Sequence, residues 1–186
     1  MKIRVVSQQW FKENTWNLGP LPVYRCPDSV FWKENNFISI RHSAETDPNC
    51  AIPVNGGNIL KLQFDDAVED ADHTRVIFDG RTVEKNSRGY YGVDDDHALV
   101  LFDADIAGEI VRFIRKIDTS RLLFVNCGAG ISRSGAVGEV LNDYFNKYLE
   151  FNALDDEYFR RLNRQIQGNP LVRRVLRETL FGNGFV

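Results

Sequence analysis

The sequence predicts a single α/β domain over residues 1–186: a mostly parallel central sheet flanked by helices, with an inserted hairpin and a helical C-terminus. Three observations carry that expectation. First, Leu122 to Val125 is an apolar run of strand type. Second, apolar stripes of helical period flank it, Ile106, Ile110, Phe113, Ile114 and Ile117 before, and Val137, Val140, Leu141, Tyr144, Phe145 and Tyr148 after. Earlier strands joined to it through a crossover helix pair most readily in parallel. Third, the 186 residues are 43% hydrophobic, enough for one domain with a sizeable core.

Taken in order, Ile3 to Val6 reads as the first strand, and the Trp10–Trp16 region is too mixed to assign. Gly19-Pro20 and Pro22 mark a loop. Ser29 to Glu34 forms a short helix before a second strand, Phe37 to Ile40, which ends in Arg41-His42-Ser43. A lone histidine at a strand end is more often structural than part of a site. Residues 44–57 hold Asp47-Pro48, Pro53 and Gly56-Gly57 and read as an irregular connection. Asn58 to Phe64 alternates as a third strand and ends in Asp65-Asp66.

Residues 67–97 read as an insertion built on a hairpin, Arg75 to Phe78 and Thr82-Val83 about the turn Asp79-Gly80. Asp103 or Asp105 caps the helix that follows. Near the end, Leu154, Tyr158, Leu162 and Ile166 share a helical face, Gly168-Asn169-Pro170 stops that helix, and Leu171 to Phe181 forms another.

Composition narrows the function classes. A formal charge of −3 gives no general reason to expect a polyanionic partner. Arg160, Arg161, Arg164, Arg173, Arg174 and Arg177 are diluted by Asp155, Asp156, Glu157 and Glu178, so they read as solvated helix faces rather than a nucleic-acid surface. Cys26, Cys50 and Cys127 form no paired framework, which favours a reducing compartment. The start, MKIRVVSQQWFKEN, is neither a signal peptide nor a membrane span, and no later run would cross a bilayer. A cytoplasmic protein without a membrane partner is the expectation. Oligomeric state is not written in these residues.

The chemistry concentrates between Arg121 and Leu149. Cys127 stands between the strand and its helix, with Arg133 after five intervening residues and Ser134 next. A loop from a strand's end to a helix's start aims backbone N–H groups inward, as a nest for an anion. Arg133 adds a planar fork matched to two phosphate oxygens. Such a nest favours the thiolate of a cysteine at its floor. A nucleophile, an oxyanion cradle and a fixed cation within eight residues make a site for phosphoryl transfer through sulfur.

The run Cys127-Gly-Ala-Gly-Ile-Ser-Arg133-Ser134 resembles the signature loop of cysteine-dependent protein phosphatases, most closely the compact dual-specificity and protein-tyrosine phosphatase-like group. Gly130 falls where that group also has glycine, and the order of elements is similar over roughly residues 36–150. Low-molecular-weight phosphatases carry their loop near the N-terminus, and rhodanese-type loops are usually one residue shorter. Asn126 departs from the family, which has histidine there to help hold the loop and the thiolate.

The resemblance implies a fold, a mechanism and residues for it. Cys127 is the nucleophile, and the amides of Gly128, Ala129, Gly130, Ile131, Ser132 and Arg133 bind phosphate together with the Arg133 side chain. Ser134 donates to the sulfur. The general acid has two candidate places: element order points to Asp65-Asp66, with Asp66 preferred of the two, whereas residue count favours Asp94, Asp95 or Asp96. Strand ends hold geometry while loops tolerate insertion, so Asp66 is preferred.

No cofactor or metal is implied. Asp94-Asp95-Asp96-His97 has hard-metal ligand types but neither EF-hand spacing nor a helical pair of histidines. The expected activity is hydrolysis of phosphotyrosine in a protein substrate, extending to phosphoserine and phosphothreonine, through a cysteinyl-phosphate. The loop has no lysine, which lowers a phosphoinositide substrate, and the chain has no Trp-Pro-Asp element of the tyrosine-only enzymes. A catalytically weak phosphate-binding module and a nucleic-acid 5′-phosphatase are the alternatives.

Overall fold

The computed structural model describes residues 1–15, 30–44, 56–70, 75–85, 90–94 and 97–182. Four strands form the central sheet: β1 (Ile3–Ser7), β2 (Asn36–Arg41), β3 (Ile59–Gln63) and, late in the chain, β9 (Leu123–Cys127). Their order is β1-β9-β2-β3, and every pairing is parallel. The mixed α/β class with a central parallel sheet is as the sequence predicts.

Both faces of a parallel sheet must be covered, and alternation along the strands divides the core accordingly. Leu123, Val125 and Cys127 face one side with Ile3, Val5, Ile38, Ile40 and Leu62. There they meet α3 (Ala104–Ile114), α4 (Arg133–Asp143) and α6 (Pro170–Phe181). Phe124 faces the other side with Val6 and Phe37, against Phe11 of α1 (Gln8–Thr15) and Trp32 of α2 (Val30–Glu34). The mixed Trp10–Trp16 region thus contributes a helix, because Trp10 and Phe11 have an aromatic face to cover.

The hairpin is present. Strands β5 (Val76–Phe78) and β6 (Arg81–Val83) pair antiparallel, with Phe78 opposite Arg81, and β4 (Val68–Glu69) adds a third strand. Asp79 (φ 51°) and Gly80 (φ 74°) close it, the two successive positive values that a two-residue turn of the primed type requires. A further pair, β7 (Gly92–Asp94) and β8 (His97–Ala98), precedes α3. Asp103, rather than Asp105, caps α3 by accepting from the Ile106 N–H at 3.0 Å.

The C-terminal part departs from expectation in two respects. After α4 the chain runs through a π-helical turn (Tyr144–Leu149) to α5 (Ala153–Leu162), which buries Phe159 rather than the Leu154 face. Leu154 is 79% exposed. The rotation is set by Asn163, which follows α5 and pairs with the outer edge of β1. Its Oδ1 accepts from the Val5 N–H at 2.7 Å, and its Nδ2 donates to the Ile3 carbonyl. A side-chain amide thereby occupies the free edge of the sheet. The helix also ends at Leu162 with Asn163 as its C-cap, before Ile166, so Gly168-Asn169-Pro170 does not stop it; Asn169 instead caps α6 and Pro170 opens it.

Among the described residues, no helix is long and apolar enough to cross a membrane. Cys26, Cys50, Asp95 and Asp96 lie outside the described residues, as do the side chains of Asp94 and His97.

Candidate active site

The chain leaves β1 for α1 on one face of the sheet and leaves β9 for α4 on the other. Adjacent parallel strands whose connections diverge open a crevice at their C-terminal ends. Cys127 ends β9 at that crevice, 2% exposed. Ser134, fully buried in the first turn of α4, places its Oγ 3.1 Å from the Cys127 Sγ.

The loop between them is held through its carbonyls. Those of Gly128, Ile131 and Ser132 accept from the backbone N–H groups of Gln8 (3.1 Å), Gln167 (3.2 Å) and Asn169 (3.2 Å). The C=O and N–H of a trans peptide point in opposite directions. The N–H groups of Ala129, Ser132 and Arg133 are therefore turned away from these contacts. Gly130 explains why one position must be glycine. Its φ is +72°, and a Cβ there would lie 2.5 Å from the Ser7 backbone nitrogen.

Ser132 occupies the N-cap position of α4 but makes no side-chain cap. Its Oγ donates instead to Asp66 Oδ1 at 2.6 Å. Among the described residues, the first-turn amides of α4 consequently keep no side-chain acceptor, the arrangement that favours an anion at a helix N-terminus.

Arg133 is 9% exposed. Its Nη1 donates to the Phe64 carbonyl at 2.7 Å, which fixes the guanidinium plane. The Nε is buried and has no partner among the described residues. A buried donor left unpaired costs about 1–3 kcal/mol. With Nη1 engaged, the edge formed by Nε and Nη2 is the one suited to two oxygens of an anion.

The two adjacent aspartates after β3 have different surroundings. Asp65 is 1% exposed, and both oxygens are engaged. Oδ1 accepts from the Ser43 N–H at 2.9 Å and lies 3.2 Å from His42 Nε2, while Oδ2 accepts from Ser43 Oγ at 2.6 Å and the Val100 N–H at 2.8 Å. His42 in turn accepts the Ala44 N–H on Nδ1, so Nε2 carries the proton toward Asp65. Asp65 and His42 fasten the ends of β2 and β3 to the chain before α3. Asp66, half-buried, turns toward the loop instead. Its Oδ1 takes both Ser132 Oγ and Asn169 Nδ2, the latter at 2.9 Å.

The structure thus brings Cys127, Ser132, Arg133, Ser134 and Asp66 together. Gly128 and Ala129 are exposed on the loop, as is Ile131, whereas Gly130 is buried against β1. Asn126 is 2% exposed and, by alternation, lies on the opposite sheet face from Cys127. Asn169 is a site neighbour whose reach to Asp66 the sequence does not announce. An asparagine before a proline and an apolar run signals a helix start, and nothing in that signal specifies a long-range contact. Among the described residues, no three His, Cys, Asp or Glu side chains converge as a metal site.

No protein-family model matches the chain, and no curated protein matches it. Among solved structures it is similar to the crystal structure of Tk-PTP in the active form, at 13% identity and a TM-score of 0.43, over 100% of this chain and 94% of that one. At that TM-score the likeness carries no weight for chemistry, which rests on the site itself.

Proposed function

We propose that the protein is a cysteine-dependent phosphatase that hydrolyses phosphoric monoesters, with phosphotyrosine proteins as the first substrate class and phosphoserine and phosphothreonine proteins as further ones. One observation supports this reading above others: Arg133 is locked by Phe64 with Nε unpartnered among the described residues, one residue from the serine that contacts the Cys127 sulfur.

In the first step Cys127 Sγ attacks phosphorus. An S–P bond forms as the P–O bond to the leaving group breaks, and the Asp66 proton passes to that leaving oxygen. The Arg133 fork and the amides of residues 128–133 carry the charge on the equatorial oxygens. In the second step Asp66 takes a proton from water, the new P–O bond forms, and the S–P bond breaks. The Ser134 hydroxyl donates to the departing sulfur.

The test is steady-state hydrolysis of an aryl phosphate beside vanadate binding. Cys127→Ser should abolish turnover and keep oxyanion binding, whereas Arg133→Ala should weaken both. Wild-type protein that binds vanadate and never turns over would favour a phosphate-binding module. Turnover of phosphorylated RNA ends above that of phosphopeptides would move the substrate class to nucleic-acid 5′-phosphate.

A further inference from the structure

Asn169 is 1% exposed and makes a hydrogen bond with every polar group it has. Its side-chain Oδ1 accepts from the Val172 N–H at 3.2 Å, which caps α6. Its Nδ2 donates twice, to Asp66 Oδ1 and to the Ala67 carbonyl, each at 2.9 Å. Its backbone N–H donates to the Ser132 carbonyl, and its own carbonyl starts α6 by accepting from Arg173. A cap needs only the Oδ1 bond. The remaining bonds tie three segments that are remote in sequence: the phosphate loop, the acid-bearing turn and the start of α6.

The effect on Asp66 is specific. This residue sits on an irregular stretch between β3 and β4, where no ladder restrains its side chain. Ser132 Oγ and Asn169 Nδ2 both donate to the same oxygen, Oδ1. Among the described residues, Oδ2 has no partner. An acid proton therefore belongs on Oδ2, because Oδ1 already accepts two bonds.

We infer that Asn169 is a positioning residue for general acid catalysis: it orients the Asp66 carboxyl so that Oδ2 carries the proton, and it keeps that carboxyl in register with the loop holding Cys127. This rests on the phosphatase reading above and on Asp66 as its acid. Asn169 acts through Asp66 and does not touch the phosphoryl group.

Substitutions separate this role from capping. Asn169→Ser keeps a favoured cap residue but is too short to reach Asp66. Asn169→Asp keeps the cap and the size but replaces both Nδ2 donors with an acceptor. Each is assayed on two esters, one with a poor alkoxide leaving group and one with a good aryl leaving group, with thermal unfolding as the check on folding. For the poor leaving group, kcat/KM should fall about 10–100-fold in Asn169→Ser, part of the 10²–10⁴ that general acid catalysis supplies. With the good leaving group kcat/KM should fall less than about threefold, since it reads only the first step and little protonation is needed there. Vanadate affinity should be nearly unchanged, since Asn169 does not touch the phosphoryl group.

In an Asp66→Asn background, Asn169→Ser should cost less than about twofold more, because residues acting as a unit are not additive. Equal losses on both esters, or a full further loss in the Asp66→Asn background, would overturn the inference and leave the phosphatase reading intact. Should Asn169→Ser not fold, Asn169→Asp carries the same test. Indifference of Asp66→Asn itself to leaving group would remove both the acid assignment and the inference, while the Cys127→Ser result judges the phosphatase reading separately.

Discussion

Asp65 and Asp66 are neighbours in sequence, and their contacts predict opposite consequences for one isosteric change. Asn in place of Asp65 must present an NH2 group to one of two donor pairs. Facing Oδ1's partners, it meets the Ser43 N–H and His42 Nε2; facing Oδ2's, it meets Ser43 Oγ and the Val100 N–H. The second orientation is the better, because a hydroxyl can turn and accept. It still strands the buried Val100 N–H, at about 1–3 kcal/mol. Bonds to a charged acceptor, worth about 1.5–3 kcal/mol, also become ordinary ones of about 1 kcal/mol. Together these give about 3 kcal/mol, and for a chain of this length about 6–12 °C in Tm. Asp66 is half-buried, and its Oδ1 contacts survive in an amide whose oxygen takes that place, so Asp66→Asn should shift Tm by less than about 2 °C. Thermal unfolding followed by circular dichroism, beside kcat/KM on the two esters, reads both quantities. Asp65→Asn should lose stability with no dependence on leaving group; Asp66→Asn should lose about 10²–10⁴-fold on the poor leaving group and keep its stability. The reasoning is refuted if Asp65→Asn melts with wild-type protein and shows the leaving-group effect instead.

Three other outcomes follow from the contacts. Gly130→Ala should destabilise by more than about 2 kcal/mol, since the left-handed φ and the Ser7 nitrogen 2.5 Å from the new Cβ both oppose it, and chemical denaturation measures this. Arg133→Lys keeps the charge but cannot both anchor on Phe64 and offer a two-pronged edge. It should lower kcat by about 10²–10³-fold, the scale of one lost oxyanion donor, in the steady-state assay. Asp156 is held below the usual carboxylate range: burial pushes it up, but the Asn142 amide, Arg160 and Lys147 outweigh that. A depressed carboxyl stabilises the fold above its unfolded pKa and loses that contribution as pH falls through the folded value. Asp156→Asn should therefore be less stable by about 0.5–1 kcal/mol at pH 7, the scale of a largely solvated pair, and in urea unfolding the gap should close as pH falls below the usual carboxylate range.

The sheet was legible because each strand is short, apolar and bounded by turn residues, and the stripe from Ile106 to Ile117 marks α3 without ambiguity. Asp79-Gly80 announced its hairpin through the positive φ it can adopt. The spacing of Cys127 and Arg133 was enough to propose a site, since strand, nest and helix fix their relation locally. What the sequence did not carry is long-range. The helix of Trp10 and Phe11 forms to cover Phe124 and Phe37, residues far along the chain. The face of α5 is chosen by Asn163 reaching back to β1, against the pattern of its leucines. The division of labour between Asp65 and Asp66 depends on Ser43, Val100, Ser132 and Asn169, none of which a local window contains. Asn169 read as punctuation for the same reason.

Rapid quench of wild-type protein on an aryl phosphate, followed by peptide mass spectrometry, addresses the central claim most directly. The account predicts a burst of released phenol close to one per site and a phosphoryl group on the peptide carrying Cys127, trapped in greater amount when Asp66→Asn slows its hydrolysis. Multiple turnovers with no phosphoryl group on Cys127, or undiminished turnover by Cys127→Ser, would contradict it.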